Sequence, residues 1–162
     1  MRALACAAIV AATALAVGCG PTVDLSQKLK IDVTRTGWID AGIVNGKNKL
    51  VPSITFRVTN QSDQTLVSLQ VNGLFRRVNE KDEWGSGFVS AAGSQGLAPG
   101  ATSQELTIRS QLGYTGEDQS RQQLLQNSQF VDAKVELFAK YGSAQWKKMG
   151  EFPITRQLIE QP

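Results

Sequence analysis

The sequence predicts an all-β chain, an antiparallel β-sandwich of about seven strands with one short helix. Three observations carry this expectation. Two segments alternate apolar and polar residues with period two. Turn-forming residues recur between short apolar runs. Only one short segment has helical character.

The first clear alternation is Ser53-Ile54-Thr55-Phe56-Arg57-Val58-Thr59, with Ile54, Phe56 and Val58 on one face. The second spans residues 131–140, with Val131, Ala133, Val135, Leu137 and Ala139 on one face. The opposite face is charged except for Phe138. Both are patterns of half-buried antiparallel strands. A third strand is expected over residues 66–78, with Val67, Leu69, Val71 and Phe75 inward. Residues 29–40, 83–91, 103–110 and 145–155 are further strand candidates. Asn45-Gly46 and Leu97-Ala98-Pro99-Gly100 are strong breakers, and residues 60–64 form a polar loop. Asn79-Glu80-Lys81-Asp82 turns the chain, and Tyr141-Gly142-Ser143-Ala144 closes the last hairpin. In residues 120–127, Ser120 and Gln123 have capping-box spacing. That helix is too short to stand alone. Leu124 and Leu125 are expected to hold it over one end of the sheets.

Seven short strands with frequent turns suit a sandwich of immunoglobulin type. Phe56-Arg57-Val58-Thr59-Asn60-Gln61-Ser62, Val67-Ser68-Leu69-Gln70-Val71 and Gly96-Leu97-Ala98-Pro99-Gly100 follow in order. This series resembles bacterial extracellular immunoglobulin-like domains of the FxLYD type, over about residues 50–110. Gly73-Leu74-Phe75-Arg76-Arg77 stands where that family has its Leu-Tyr-Asp signature. The resemblance implies a fold and no activity.

At the N-terminus, Met1 and Arg2 precede an uncharged run from Ala3 to Val17. The run is shorter than the ~20 residues a spanning helix needs and has the length of a signal h-region. Leu15-Ala16-Val17-Gly18-Cys19 places a cysteine after small and aliphatic residues. Here the chain resembles bacterial lipoproteins. The resemblance implies that residues 1–18 are a removed signal and that Cys19 becomes a lipidated N-terminus, carrying diacylglycerol on sulfur and usually an acyl chain on nitrogen. Several chains give stable anchoring where one does not. Residues 19–28 then read as lipidated N-terminus and tether, and 29–162 as the sandwich domain. The nine residues 20–28, extended, reach about 30 Å, which holds the domain near the membrane. Gly20 follows the cysteine where an acidic residue would signal inner-membrane retention, so in a Gram-negative cell the resemblance favours the periplasmic side of the outer membrane.

Cys6 and Cys19 are the only cysteines, so the domain has no disulfide and depends on its core. The net charge of +3 falls by one without Arg2, too slight a balance for nucleic acid. Histidine is absent. That removes Ser-His-Asp and Cys-His arrangements. No Ser-x-x-Lys lies in a desolvating setting, and no phosphate-binding Gly loop precedes Lys-Ser or Lys-Thr. The carboxylate pairs Asp82/Glu83 and Glu117/Asp118 lie in polar turns, where solvated loops account for them. Without His or free Cys, and with Met149 the one mature methionine, soft metals lack ligands. Asn79-Glu80-Lys81-Asp82-Glu83 carries a lysine within its oxygen ligands, which argues against calcium. Neither enzyme, metal nor cofactor is expected.

The expected function is that of an envelope lipoprotein binding another envelope protein through a sheet face or edge strand. Residues 145–155 are the candidate edge, because Pro153 cannot donate to a ladder. Phe138 is a candidate contact. Trp38, Trp84 and Trp146 each lie in a candidate strand and suit core or sheet-edge anchors, with Trp84, beside Gly85 and Gly87, the most exposed of them. Trp84 and Trp146 are therefore further contact candidates, as is Arg77. Arg76-Arg77 and Lys147-Lys148 can each contribute one residue to a basic strip, which either touches anionic headgroups or is a solvated sheet face. The alternative is a carbohydrate or cell-wall glycan module built on Trp84 and a neighbouring aromatic.

Overall fold

The structure, a computed structural model, describes residues 22–160. Cys19 and the signal-like segment 1–18 lie outside the described residues. The chain forms α1 (Leu25–Lys28), β1 (Leu29–Val44), β2 (Lys47–Asn60), β3 (Leu69–Arg77), β4 (Gly85–Ala92) and β5 (Leu106–Arg109). After these come β6 (Tyr114–Gly116), α2 (Arg121–Gln126), β7 (Ala133–Lys140), β8 (Lys147–Pro153) and β9 (Leu158–Ile159). All seven expected strands are present, and β6 and β9 are short additions.

One sheet has the order β5-β2-β1-β9, with β6 also beside β2, and the other has the order β4-β3-β7-β8. All pairings are antiparallel except β1 with β9. β1, β2, β5, β6 and β9 thus lie in one layer and β3, β4, β7 and β8 in the other, the two-sheet arrangement of a β-sandwich.

The core lies between the sheets. Ile54, Phe56 and Val58 of β2 meet Leu69, Val71 and Phe75 of β3 and Val135, Leu137 and Ala139 of β7, all fully buried. Alternation put these residues inward, and they are inward. Two positions differ. Val67 is 42% exposed while its neighbour Leu66 is fully buried. Ser68 takes φ 50, which breaks the extended run and turns the alternation over before β3 begins. Val131 is also exposed. The Tyr114 hydroxyl donates to the Val131 carbonyl at 3.0 Å and accepts its N–H at 3.1 Å, holding this residue off the sheet before β7 starts.

β1 and β2 are longer than the alternation predicts. They meet at a two-residue turn, Asn45-Gly46, with φ 51 and 75, the positive values such hairpins need. Gly42 at φ 82 and a bulge between Asp40 and Ile43 blur the pattern in β1. In β2 Pro52 does so. Its carbonyl accepts from Ser110 N at 3.0 Å, so its missing N–H faces the same neighbour. The neighbour divides there: β5 pairs from Ser53 onward and β6 from Leu50 backward.

The segment expected as a tether is partly folded. Asp24 caps α1, accepting from Ser26 N at 3.1 Å, and Leu25 is fully buried. The domain therefore begins before residue 29. In α2 the capping box of Ser120 and Gln123 is present, and Leu124 and Leu125 are buried.

Where the chain leaves one sheet for the other, Asn60 is fully buried. Its Nδ2 donates to the Gln64 and Leu97 carbonyls, both at 2.8 Å. Its Oδ1 accepts from Ser62 N at 2.9 Å and Ser62 Oγ at 2.7 Å. All four bonds that a carboxamide side chain can make are made. Asn60→Ala orphans several buried groups and is expected to cost about 2–4 kcal/mol. Denaturant unfolding measures it, and a loss below about 0.5 kcal/mol would show the knot to be incidental.

Candidate functional site

The outer face of the four-stranded sheet is the candidate site. Residues opposite one another in an antiparallel pair project to the same side. Phe88, Asn72, Phe138 and Lys148 therefore form one row across β4, β3, β7 and β8. Ser86, Leu74, Glu136 and Glu151 form the next. Phe88 is 71% exposed, while Phe138 and Leu74 are half-buried. Asn72 stands between Phe88 and Phe138 in the first row, and Leu74 lies diagonal to both in the next; an exposed phenylalanine in such a setting is unlike a surface kept for solubility.

Charges lie on the β7 and β8 side of this row. Glu136 accepts from Arg76 Nε at 3.0 Å and from Lys148 Nζ at 2.6 Å. Lys134 pairs with Glu151 at 3.1 Å. Hydrogen bonds from Lys148 and Arg76 hold the Glu136 carboxyl at about 2, well below its ordinary value. The anticipated basic strip is thus a neutralised network, in which Arg76 and Lys148 share one carboxylate. Beside Phe88 lies a groove of about 830 Å³, lined by Asp40, Lys49, Gly87, Phe88 and Arg109 among others. Gly87 allows β4 to approach β5 there: a Cβ would stand 2.6 Å from the Arg109 carbonyl oxygen.

The other expected contacts are dispersed. Arg77 points to the inner side of β3, its guanidinium 4.9 Å from the centre of the Trp84 ring. Trp84 is half-buried. It packs with Trp38 at 6.0 Å and Tyr114 at 5.0 Å, and Phe130 lies 4.7 Å from Trp38. Trp38 is fully buried, so this cluster closes one end of the sandwich. Trp84 is thus less exposed than Trp146, contrary to the sequence expectation. Trp146 stands at the opposite end of the sheet, 41% exposed, with Lys140 Nζ 5.0 Å from its ring centre. The two do not make a shared platform.

β8 is an edge strand, as expected for residues 145–155. It carries a bulge at Met149, opposite the Leu137–Phe138 step, together with Lys147, Lys148 and Pro153. Bulges, lysines and proline are features that discourage a further strand from pairing. The face is therefore the better surface.

Phe88 was missed because Phe88-Val89 puts two apolar residues side by side, and Gly, Ser and Ala surround them. Only the pairing of Val71 with Val89 and Asn72 with Phe88 settles which faces out. Among the described residues, no three His, Cys, Asp or Glu side chains are grouped to hold a metal ion, and no helix is long and apolar enough to cross a membrane.

Glu136 has a depressed folded-state pKa, so its contribution is present above about pH 4.5 and is lost as pH falls toward 2. With solvent around Lys148 discounted, it is on the order of 2 kcal/mol. Glu136→Gln is expected to remove that amount at neutral pH and to flatten the stability profile below pH 5. Chemical denaturation across pH measures both, and an unchanged acid limb would contradict the network.

No family model matches the chain, and no curated protein matches it. A solved structure described as the X-ray structure of Northeast Structural Genomics Consortium target SoR45 aligns over 81% of this chain and 89% of its own, at 14% identity and a TM-score of 0.43. The fold assignment rests on the strand pairing of this chain.

Proposed function

We propose that the protein is a lipid-anchored, non-enzymatic component of the bacterial envelope that binds another envelope protein through the outer face of its four-stranded sheet. The observation that carries the reading is Phe88, 71% exposed on the edge strand β4 in a row with Phe138, with the ion pairs of Glu136 to Arg76 and Lys148 on the Phe138 side. Exposed aromatic anchors with polar groups alongside suit a binding patch. The lipobox-like stretch ending at Cys19 supports the anchor and the compartment. A partner covering Phe88 and Phe138 gains apolar burial, and the paired charges alongside set its orientation. The glycan alternative has less support, because Trp84 is committed to the aromatic cluster.

A photoreactive phenylalanine analogue at position 88 is expected to form one discrete adduct with an envelope protein in living cells. The same group at exposed position 57, in the other sheet, is expected to form none. Phe88→Ser should change stability by no more than about 0.5 kcal/mol, and Phe138→Ser should weaken capture while cooperative unfolding persists. Equal labelling from both positions, or none from 88, would overturn the face as the binding surface.

A further inference from the structure

The described chain starts three residues after Cys19, and its start is docked. Thr22, Val23 and Leu25 border a groove of about 340 Å³ that Tyr141, Gln145 and Lys147 also line. Val23 N donates to the Tyr141 hydroxyl at 2.7 Å. Three extended residues reach about 10 Å. A lipid on Cys19 would therefore hold the β7–β8 turn against the bilayer rather than leave the domain on a free tether.

The side chains at that turn suit such a position. Trp146 is 41% exposed, between the groove residues Gln145 and Lys147. Lys140 Nζ lies 5.0 Å from its ring centre, and Lys147 is exposed. Gly142 N donates to the carbonyl of Val67, itself 42% exposed. Of the acidic groups nearby, Asp24 is engaged as the cap of α1, and Asp63 is exposed in the adjacent loop. Tryptophan settles at the headgroup level, and lysine extends its charge to lipid phosphates while its stem stays apolar.

We propose that Trp146, with Lys140 and Lys147, inserts into the headgroup layer of the anchoring membrane and makes a second, protein-borne contact with anionic phospholipid. This rests on the reading of Cys19 as lipidated. It fixes the tilt of the domain. The strands of the four-stranded sheet run away from the bilayer, and Phe88 and Phe138 are presented sideways to a neighbour in the same envelope.

The test uses the full lipidated protein, purified in detergent and reconstituted into phosphatidylcholine vesicles with or without phosphatidylglycerol. A headgroup spin label quenches tryptophan, and Trp146→Phe supplies the background from Trp38 and Trp84. The expected result is quenching that grows with phosphatidylglycerol and disappears in Trp146→Phe. Lys140→Gln and Lys147→Gln should each lower the docked-to-undocked ratio roughly fivefold. Vesicle flotation and the mass of the N-terminal peptide report separately on the lipid. Flotation with quenching unchanged by Trp146→Phe overturns the proposal and leaves the lipoprotein reading intact. A Cys19 without lipid overturns both.

Discussion

The buried amide of Asn60 is the constraint on which the sandwich depends. β2 must leave one sheet, and β3 must begin in the other. A cysteine-free domain has no covalent tie at that crossing. Instead, one side chain bonds Ser62, Gln64 and Leu97. The Leu97 turn is in turn joined to Leu66 by two backbone bonds at 3.0 Å, and Gly100 N donates to the Asn60 carbonyl at 2.7 Å. This places Leu66 in the core and lets β3 start with Leu69 inward. The inward row of β3 positions β7 through eight register pairs. The outer row of the same strands then follows without further choice.

The candidate surface is a by-product of that registration. Every residue that faces inward in β3 and β7 commits its neighbour to the outer face. Asn72, Leu74 and Phe138 are outward because Val71, Phe75 and Leu137 are inward. At one end, Trp38, Trp84, Tyr114 and Phe130 close the sandwich, and Arg77 and Arg156 stack over two of the rings. At the other, the N-terminal segment seals against Tyr141. Both ends are occupied and the β8 edge is blunted, and the candidate surface runs from the outer face of the four-stranded sheet to its other edge, β4, which carries Phe88.

The sequence was most legible where one local rule acted alone. Alternation found Ile54, Phe56 and Val58, and likewise Ala133 through Ala139, because those strands are regular and have one wet face. Capping chemistry found α2 from Ser120 and Gln123. The reading erred where a single residue changed the phase. Ser68 exchanged Val67 for Leu66, and Tyr114 held Val131 away from the sheet. Pro52 and Gly42 concealed half of the β1–β2 hairpin. Leu25 lay in a segment too short and polar to announce a core residue. For the site, Phe138 was visible as the one apolar residue on a charged face. Phe88 was not, since two adjacent apolar residues leave the inward one undetermined. Arg77 and Trp84 were contact candidates, and tertiary packing joined them into one stacked pair.

The central claim is that the Phe88–Phe138 face is covered in the envelope and free in the isolated protein. Hydroxyl-radical footprinting of both forms tests it directly, with Leu158, 44% exposed on the β9 edge of the other sheet, as the internal reference. The account predicts that Phe88 is oxidised readily in the purified protein and protected in intact envelopes, while Leu158 reacts alike in both. Equal oxidation of Phe88 in the two preparations would contradict it.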